Sequence, residues 1–572
     1  MTKEFPGKIE FHDESAKFES KPEAMTEYND NGVPSYTDIS QTPFEEFLHY
    51  SLIQRTREEH EAGKIQGGDS YSSPFGKYAN MKLPIAAVTD LEPEAAVMTP
   101  EELERSNARR ALRQAGWAAV FFLITTDILG PFNAPIAIAQ LGYVPGVLLY
   151  VFMGIFALYC GLLLWRLFIH LDSDRYPVKT YADIAERIFG RSARHVCTVL
   201  QSLQLIVNVG VICLSNGQSL AQIVAGQNGT GYMCFSLAIV VWALFGMVIG
   251  QIRTLKNFSF LANFAVWLNL LIIFTSMGFI AHSPPNYAAA LKNGIPFGPI
   301  VTSNVVPLPA STKVNGIMQM VFAYGGAMIF PEIMAEMRRP MDFWKGMAMA
   351  QSLIFCAYLM YGIFVYAFQG QFTLPLAYQG VSKYSWQTLG NVLALITGII
   401  AAGLYGNIGI KVAYINIVED WFKGPSLLSR KGHVIWVIMV VVYWALAYVV
   451  GSAVPQVENI SSLIAAICIM QFSYTFPPIL RFGYDVITDA MSEDSVYIPG
   501  RGIAGRIDSW RDRSRWNRGL FTGRVYFKAF NLLLFFGFLV MAFLGMWGSG
   551  VSIQQAFKNQ GAATSFGCTA PV

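Results

Sequence analysis

The sequence predicts an all-α membrane protein of about eleven transmembrane helices, the first ten in a five-plus-five inverted repeat with the first and sixth broken and the eleventh an addition. Three observations carry this. The chain is 53% hydrophobic and only 14% charged, with 41 Phe and 12 Trp in 572 residues, which excludes an ordinary soluble domain. A helix needs about 20 apolar residues to cross a bilayer, and stretches of that length recur from residue 115 onward. Two of those stretches carry helix breakers: Gly130, Pro131 and Pro135 in the first, Gly325, Gly326 and Pro331 in the sixth. Adjacent glycines lose the most backbone entropy on becoming helical, and a proline removes a donor and crowds the preceding turn. Unwound backbone persists in a membrane only where protein or a water-filled cavity surrounds it, so paired breaks point to a binding site.

Residues 1–113 read as a largely disordered cytosolic tail holding 21 of the 38 acidic residues against 13 of the 41 basic ones. The chain opens without an apolar leader, so the first span is expected to direct insertion itself. Two short helices are expected in the tail, because Thr42 and Thr99 are each followed by a proline and, three residues on, a glutamate. The first places Phe44, Phe47, Leu48 and Leu52 on one face, and docking on the cytosolic side competes with a helix of no function.

The transmembrane domain covers 114–548, with spans at 115–141, 146–169, 196–224, 232–252, 258–281, 314–336, 346–368, 388–418, 434–454, 459–480 and 526–548. An extracellular or lumenal tail, 549–572, follows. Residues 179–191 read as an amphipathic helix on the cytosolic face, with Tyr181, Ile184, Ile188 and Phe189 toward the bundle. Cys160, Cys197, Cys213, Cys234, Cys356 and Cys468 fall inside apolar spans and Cys568 in the tail. The thiols therefore read as small buried hydrophobes, and no disulfide is expected. Between the spans, 27 lysines and arginines fall on one side, against Lys292, Lys313, Lys383 and Lys558 on the other. That asymmetry puts the N-terminus in the cytosol. The sequon at Asn228 lies on the outer side in a very short loop.

The run FAYGGAMIFPEIMAEMRRPMDFWKGM (322–347), with AQLGYVPG (139–146), KTYADIAERIFGR (179–191) and LKNFSFLANFAVWLN (255–269), resembles the amino acid/auxin permease family, above all its fungal neutral amino-acid permeases. The likeness runs over most of the membrane domain and departs from the family at Pro131 and at Asp127, where many relatives have a small or hydroxyl residue. It implies a leucine-transporter-like fold, alternating access by rocking of one helix group, and a substrate whose main chain is held by the two unwound segments.

Those segments supply the binding candidates: Leu129, Gly130, Phe132 and Asn133 in the first, Phe322, Tyr324, Gly325, Gly326 and Ala327 in the second. Exposed N–H groups suit a carboxylate and exposed C=O groups an ammonium, and the second break carries no acid or base, which suits a neutral side chain. Phe132 and Tyr324 read equally as plain packing. Asp127 lies near mid-membrane, about 18 Å into span one at 1.5 Å per residue, where a carboxylate needs a partner or a proton. Two readings stand for Lys411 in span eight: it snorkels to the cytosolic surface, or it stands at the place where the implied fold holds sodium and exchanges protons with Asp127, on a helix face opened by Asn407 and Gly409. Glu332 and Glu336 read as inner-gate partners of loop arginines.

No nucleotide-binding, hydrolase or metal-ligand motif is present, so no enzyme activity, cofactor, metal or nucleic-acid partner is expected. An ion channel would want a ring of like residues or a continuous polar pore helix, and neither is visible. The expected function is import of neutral aliphatic or aromatic L-amino acids across the plasma membrane by proton symport. A vacuolar exporter and a non-transporting amino-acid sensor are the alternatives. Lys3, Lys8, Lys17 and Lys21 in the tail offer sites to ubiquitin-ligase machinery.

Overall fold

The computed structural model describes residues 42–66, 113, 115–130, 133–227, 231–252, 255–292, 295–425, 427, 429–454, 456–491, 494, 497–499, 502–503, 505–558 and 565–569. Phe132, the helix expected from Thr99 and the sequon at Asn228 lie outside them. In chain order the helices are α1 (Phe44–Gln66), α2 (Trp117–Ile128), α3 (Ala134–Leu141), α4 (Tyr143–Leu171), α5 (Tyr181–Phe189), α6 (Arg191–Ala225), α7 (Phe235–Ile249), α8 (Leu255–Ala281) and α9 (Tyr287–Lys292). There follow α10 (Ala310–Ala323), α11 (Phe330–Glu336), α12 (Phe343–Gln369), α13 (Tyr384–Ala413), α14 (Arg430–Ala453), α15 (Val457–Ile464), α16 (Phe476–Ala490), α17 (Arg513–Phe521) and α18 (Val525–Lys558). A two-stranded hairpin, β1 (Tyr497–Ile498) with β2 (Gly502–Ile503), precedes α17.

Among the described residues, nine helices are long and apolar enough to cross a membrane, and α2 and α7 are shorter apolar helices at the positions of two more expected spans. Both expected breaks are present. Span one stops at Ile128 and resumes at Ala134, and span six stops at Ala323, makes a 3₁₀ turn over Ala327–Ile329 and resumes at Phe330. Span ten also changes winding, passing from α15 through wide π turns over Ala465–Ile469 and Gln471–Thr475 before α16. Wide turns of this kind re-aim side chains and gather at functional sites.

The core is centred on α6, which packs against α13 and α14. Close approach needs small residues there: a Cβ on Gly398 would overlap the Asn216 carboxamide.

Helix α1 docks on the membrane domain. Phe47 and Leu48 are buried, Phe44 and Leu52 half-buried. Arg55, also buried, spans 2.8 Å to Asp172 just beyond α4, and Glu45 takes Arg506 at 2.6 Å. Tyr176 donates to Glu46 at 2.6 Å, and burial followed by that carboxylate pushes its phenol up to about 12. Arg515 joins Asp494 and Asp508 behind the hairpin. Basic residues thus knit α1 to the loop between α16 and α18. Tyr181, Ile184 and Ile188 of α5 are buried as expected, whereas Phe189 is 48% exposed.

The expectation of no disulfide is corrected. Cys234 bonds Cys568, and the tail is tied down further by Phe235 N–H to Cys568 O at 3.0 Å and Phe566 N–H to Ser452 O at 2.9 Å. Reading residues 232–252 as one apolar span put Cys234 inside the membrane. The helix starts at Phe235, which leaves Cys234 at its mouth where a tail reaches it.

Candidate functional site

The first break exposes three consecutive carbonyls at the end of α2, and side chains from three other spans cap them. Tyr405 of α13 donates to Asp127 O at 3.2 Å, Tyr358 of α12 to Ile128 O, and Asn269 of α8 to Leu129 O at 2.6 Å. The Tyr358 hydroxyl also accepts from Gly130 N–H at 2.9 Å, so one phenol holds both an acceptor and a donor at the end of α2. Helix ends leave such groups unpaired, and burying them bare costs about 1–3 kcal/mol each. Asn133 then turns the chain into α3 with φ of 66°, a left-handed conformation that asparagine tolerates.

The second break closes on itself. Gly325 N–H bonds Phe322 O at 3.1 Å, Gly326 N–H bonds Tyr324 O at 3.1 Å and Ile329 N–H bonds Gly326 O at 3.3 Å. Gly326 lies against Asp127: a Cβ there would overlap Asp127 Oδ2 and crowd the Ile128 side chain at 2.7 Å. Gly325 instead faces Ile469 in the π turn of span ten.

Between the breaks lies a cavity of about 80 Å³. A water needs about 10–15 Å³ of such volume, so the cavity has room for several waters. Of the expected residues, Asp127, Leu129, Gly130, Asn133, Phe322 and Gly325 line it. Tyr324 does not. It is buried with its hydroxyl 3.3 Å from Tyr150 O and packs edge-on to Tyr150 and Tyr358. Ala327 is buried behind the turn, and Gly326 touches the site through Asp127.

Both carboxylate oxygens of Asp127 are buried and accept no hydrogen bond of ordinary geometry; the Tyr405 hydroxyl, which donates to Asp127 O, is the polar group beside them. Asn208 Oδ1, Asn133 Oδ1 and Asn216 Nδ2 are likewise buried without partners. An unpartnered carboxylate beside unpartnered carboxamides in a cavity is a site made for a ligand or a proton. Sequence reasoning missed Asn208, Ser215, Asn216, Asn269, Tyr358 and Tyr405, all of which line the cavity. A signal existed for one helix: Gln201, Gln204, Asn208, Ser215 and Ser219 recur at helical spacing along α6, and all are buried.

The structure does not bring Lys411 to Asp127. Its Nζ stands 3.7 Å from Glu336 Oε1. Lys411 is six residues beyond Tyr405, about 9 Å further along α13 at 1.5 Å per residue, so the helix presents a hydroxyl to the break and the ammonium to the end of span six. Asn407 bonds Ile252 O at 2.5 Å, away from the cavity. Glu332 accepts from Gln201 at 2.6 Å, and among the described residues neither glutamate takes the loop arginine expected of it. Below the cavity the chain ends of spans one and six pair as strands, with Ala115 N–H to Glu336 O at 3.2 Å and Arg338 N–H to Ala115 O at 2.9 Å.

Residues 113–486 match the family model described as transmembrane amino acid transporter protein. The chain is 23% identical over 404 residues to the N amino acid transport system protein of Neurospora crassa, covering 69% of this chain and 82% of that one. It is 23% identical over 467 residues to a transmembrane transporter of Fusarium pseudograminearum, covering 80% and 87%. To lysine histidine transporter-like 4 of Arabidopsis thaliana it is 26% identical over 273 residues, covering 45% and 57%.

Proposed function

We propose that this chain, which belongs to the transmembrane amino acid transporter family, imports neutral aliphatic or aromatic L-amino acids by proton symport. The observation that carries the reading is the cavity between the two breaks with the unpartnered Asp127 carboxylate in its wall. The nine long apolar helices among the described residues, with α2 and α7, read as eleven spans, ten of them a five-plus-five repeat around the breaks and the eleventh an addition. The basic loops face the cytosol. The disulfide Cys234–Cys568 supports that orientation, because such bonds persist on the oxidising side of a membrane.

Coupling follows from charge. An ionised Asp127 repels the carboxylate of an incoming zwitterion with little water to screen the pair, and a proton on Asp127 removes the repulsion. Substrate and proton then load together, and sodium is not required. The carbonyls that a cation would seek at the first break are already taken by Tyr405, Tyr358 and Asn269. Lys411 with Glu336 serves the inner gate, and Asn407 braces α13 rather than binding the ion. The plasma membrane is the proposed address, and the tail of residues 1–113, through Lys3, Lys8, Lys17 and Lys21, the segment offered to ubiquitin ligation. The test is uptake of labelled leucine by purified protein in liposomes under an inward proton gradient, with sodium replaced by choline. Uptake that rises as outside pH falls supports symport. A sodium requirement, strong competition by arginine or aspartate, or no uptake at all would overturn the reading, the last in favour of a sensor.

A further inference from the structure

Away from the cavity, one carboxylate ties together three elements that part if the far side opens. Glu458, in the first turn of α15, accepts on Oε1 from Asn315 Nδ2 of α10 at 2.7 Å and from Gln140 Nε2 of α3. Its main-chain carbonyl accepts from Gln319 Nε2 at 2.7 Å, and Gln319 Oε1 accepts from Ser461 Oγ at 3.2 Å. α3 and α10 are the halves of the two broken spans that lie away from the basic loops. Asn315 and Gln319 are 1% and 0% exposed while Glu458 itself is partly exposed, so water reaches the carboxylate but not these two partners.

The cluster has a carboxylate and no cation. Among the described residues no charged side chain acts on Glu458. The charged or titratable residues on elements packed against α15 are Lys313 on α10, Tyr526, Lys528 and Lys558 on α18, Arg191, Arg194 and His195 at the basic end of α6 with the thiols Cys197 and Cys213 further along it, and Cys468 in the π turn; α3 has none. Gln140 Oε1 and Asn315 Oδ1, on the two carboxamides that donate to Glu458, are themselves buried without a partner. The site therefore has two housings for one carboxyl. Ionised, Glu458 receives both N–H groups. Protonated by water from the open side, it finds an acceptor oxygen on either amide once that amide turns.

We propose that Glu458 is a proton-binding latch on the outer gate, separate from Asp127: ionised, it holds α3 and α10 to α15; protonated, it releases them. Hydrogen bonds to a charged acceptor are about twice as strong as neutral ones, so protonation weakens both arms together. An acid inside a membrane without a cationic partner marks a proton path. Acid outside then opens the outer face as well as loading the site. Only the word "outer" rests on the transport reading.

The test needs no substrate. Hydrogen–deuterium exchange of the purified full chain is followed in peptides covering α3 and α10, corrected for the intrinsic effect of pH on exchange. In the wild type, exchange should quicken about tenfold between about pH 7.5 and pH 5.5, the worth of the two weakened bonds. Glu458→Gln, a neutral isostere, should exchange fast at both values, and Asn315→Ala should shift the neutral-pH rate toward the acid one. Asp127→Asn should leave the response intact. A wild type with equal exchange at both values, a Glu458→Gln variant that keeps the wild-type response, or its loss in Asp127→Asn would overturn the latch. Absent uptake with a normal exchange response would sink the transport reading alone.

Discussion

The two breaks face one cavity but are kept open by different means. The second is local: Gly325 and Gly326 bond the carbonyls of Phe322 and Tyr324, and Gly326 O takes Ile329 N–H, all within the same short stretch. The first is borrowed, its carbonyls held by Tyr405, Tyr358 and Asn269 from three separate spans. The first break therefore reports the position of three other spans. When α8, α12 or α13 moves, its caps move too, whereas the second break keeps its shape and moves as a unit.

The largest effect is expected where the two breaks touch. Gly326→Val inserts carbon where Asp127 Oδ2 and Ile128 lie, and should lower the initial uptake rate by about a hundredfold or more, because overpacking at a closed contact costs about 1–3 kcal/mol even before a ligand is excluded. An uptake rate within threefold of wild type would mean that the breaks are not in register. Asn269→Ala bares Leu129 O and should slow uptake roughly tenfold, by about 1–3 kcal/mol, while leaving the backbone of the second break unchanged in exchange protection. If both breaks lose protection, the first is not held separately. Tyr405→Phe removes a longer bond of 3.2 Å and should cost about threefold in uptake, at the low end for a neutral hydrogen bond.

A control away from both breaks sharpens the contrast. Arg518, foremost among its partners, holds the Asp508 carboxyl below the ordinary carboxylate range. Its contribution to stability is present above the unfolded value of about 3.9 and is lost as pH falls through the lower folded value. Asp508→Asn should lower the melting temperature slightly at neutral pH, with the deficit closing below about pH 4 and uptake at neutral pH unchanged.

What the sequence disclosed follows the same division. Glycine and proline act on their own backbone, so both breaks, their positions and the apolar spans around them were legible by inspection. The family resemblance then read the breaks as a substrate site, and six of the nine proposed binding residues and Asp127 converge on them, Gly326 through the Asp127 side chain. The caps were not legible. Tyr358 and Tyr405 are single polar groups in apolar helices, more than 200 residues from the carbonyls they meet, and nothing local marks them as partners. Lys411 misled for the same reason: rise along α13 gave its depth, but direction around the helix decides whether a side chain meets span one or the end of span six. The polar stripe of α6 was visible in spacing, and with it one wall of the cavity.

The most direct test is equilibrium binding of labelled leucine to the purified protein, wild type beside Gly326→Val, with melting temperature measured on both. The expected result is saturable binding to the wild type, displaced by other neutral amino acids and not by arginine or aspartate, and no binding to a Gly326→Val protein that melts within a few degrees of it. Undiminished binding to Gly326→Val would contradict a substrate site between the two breaks.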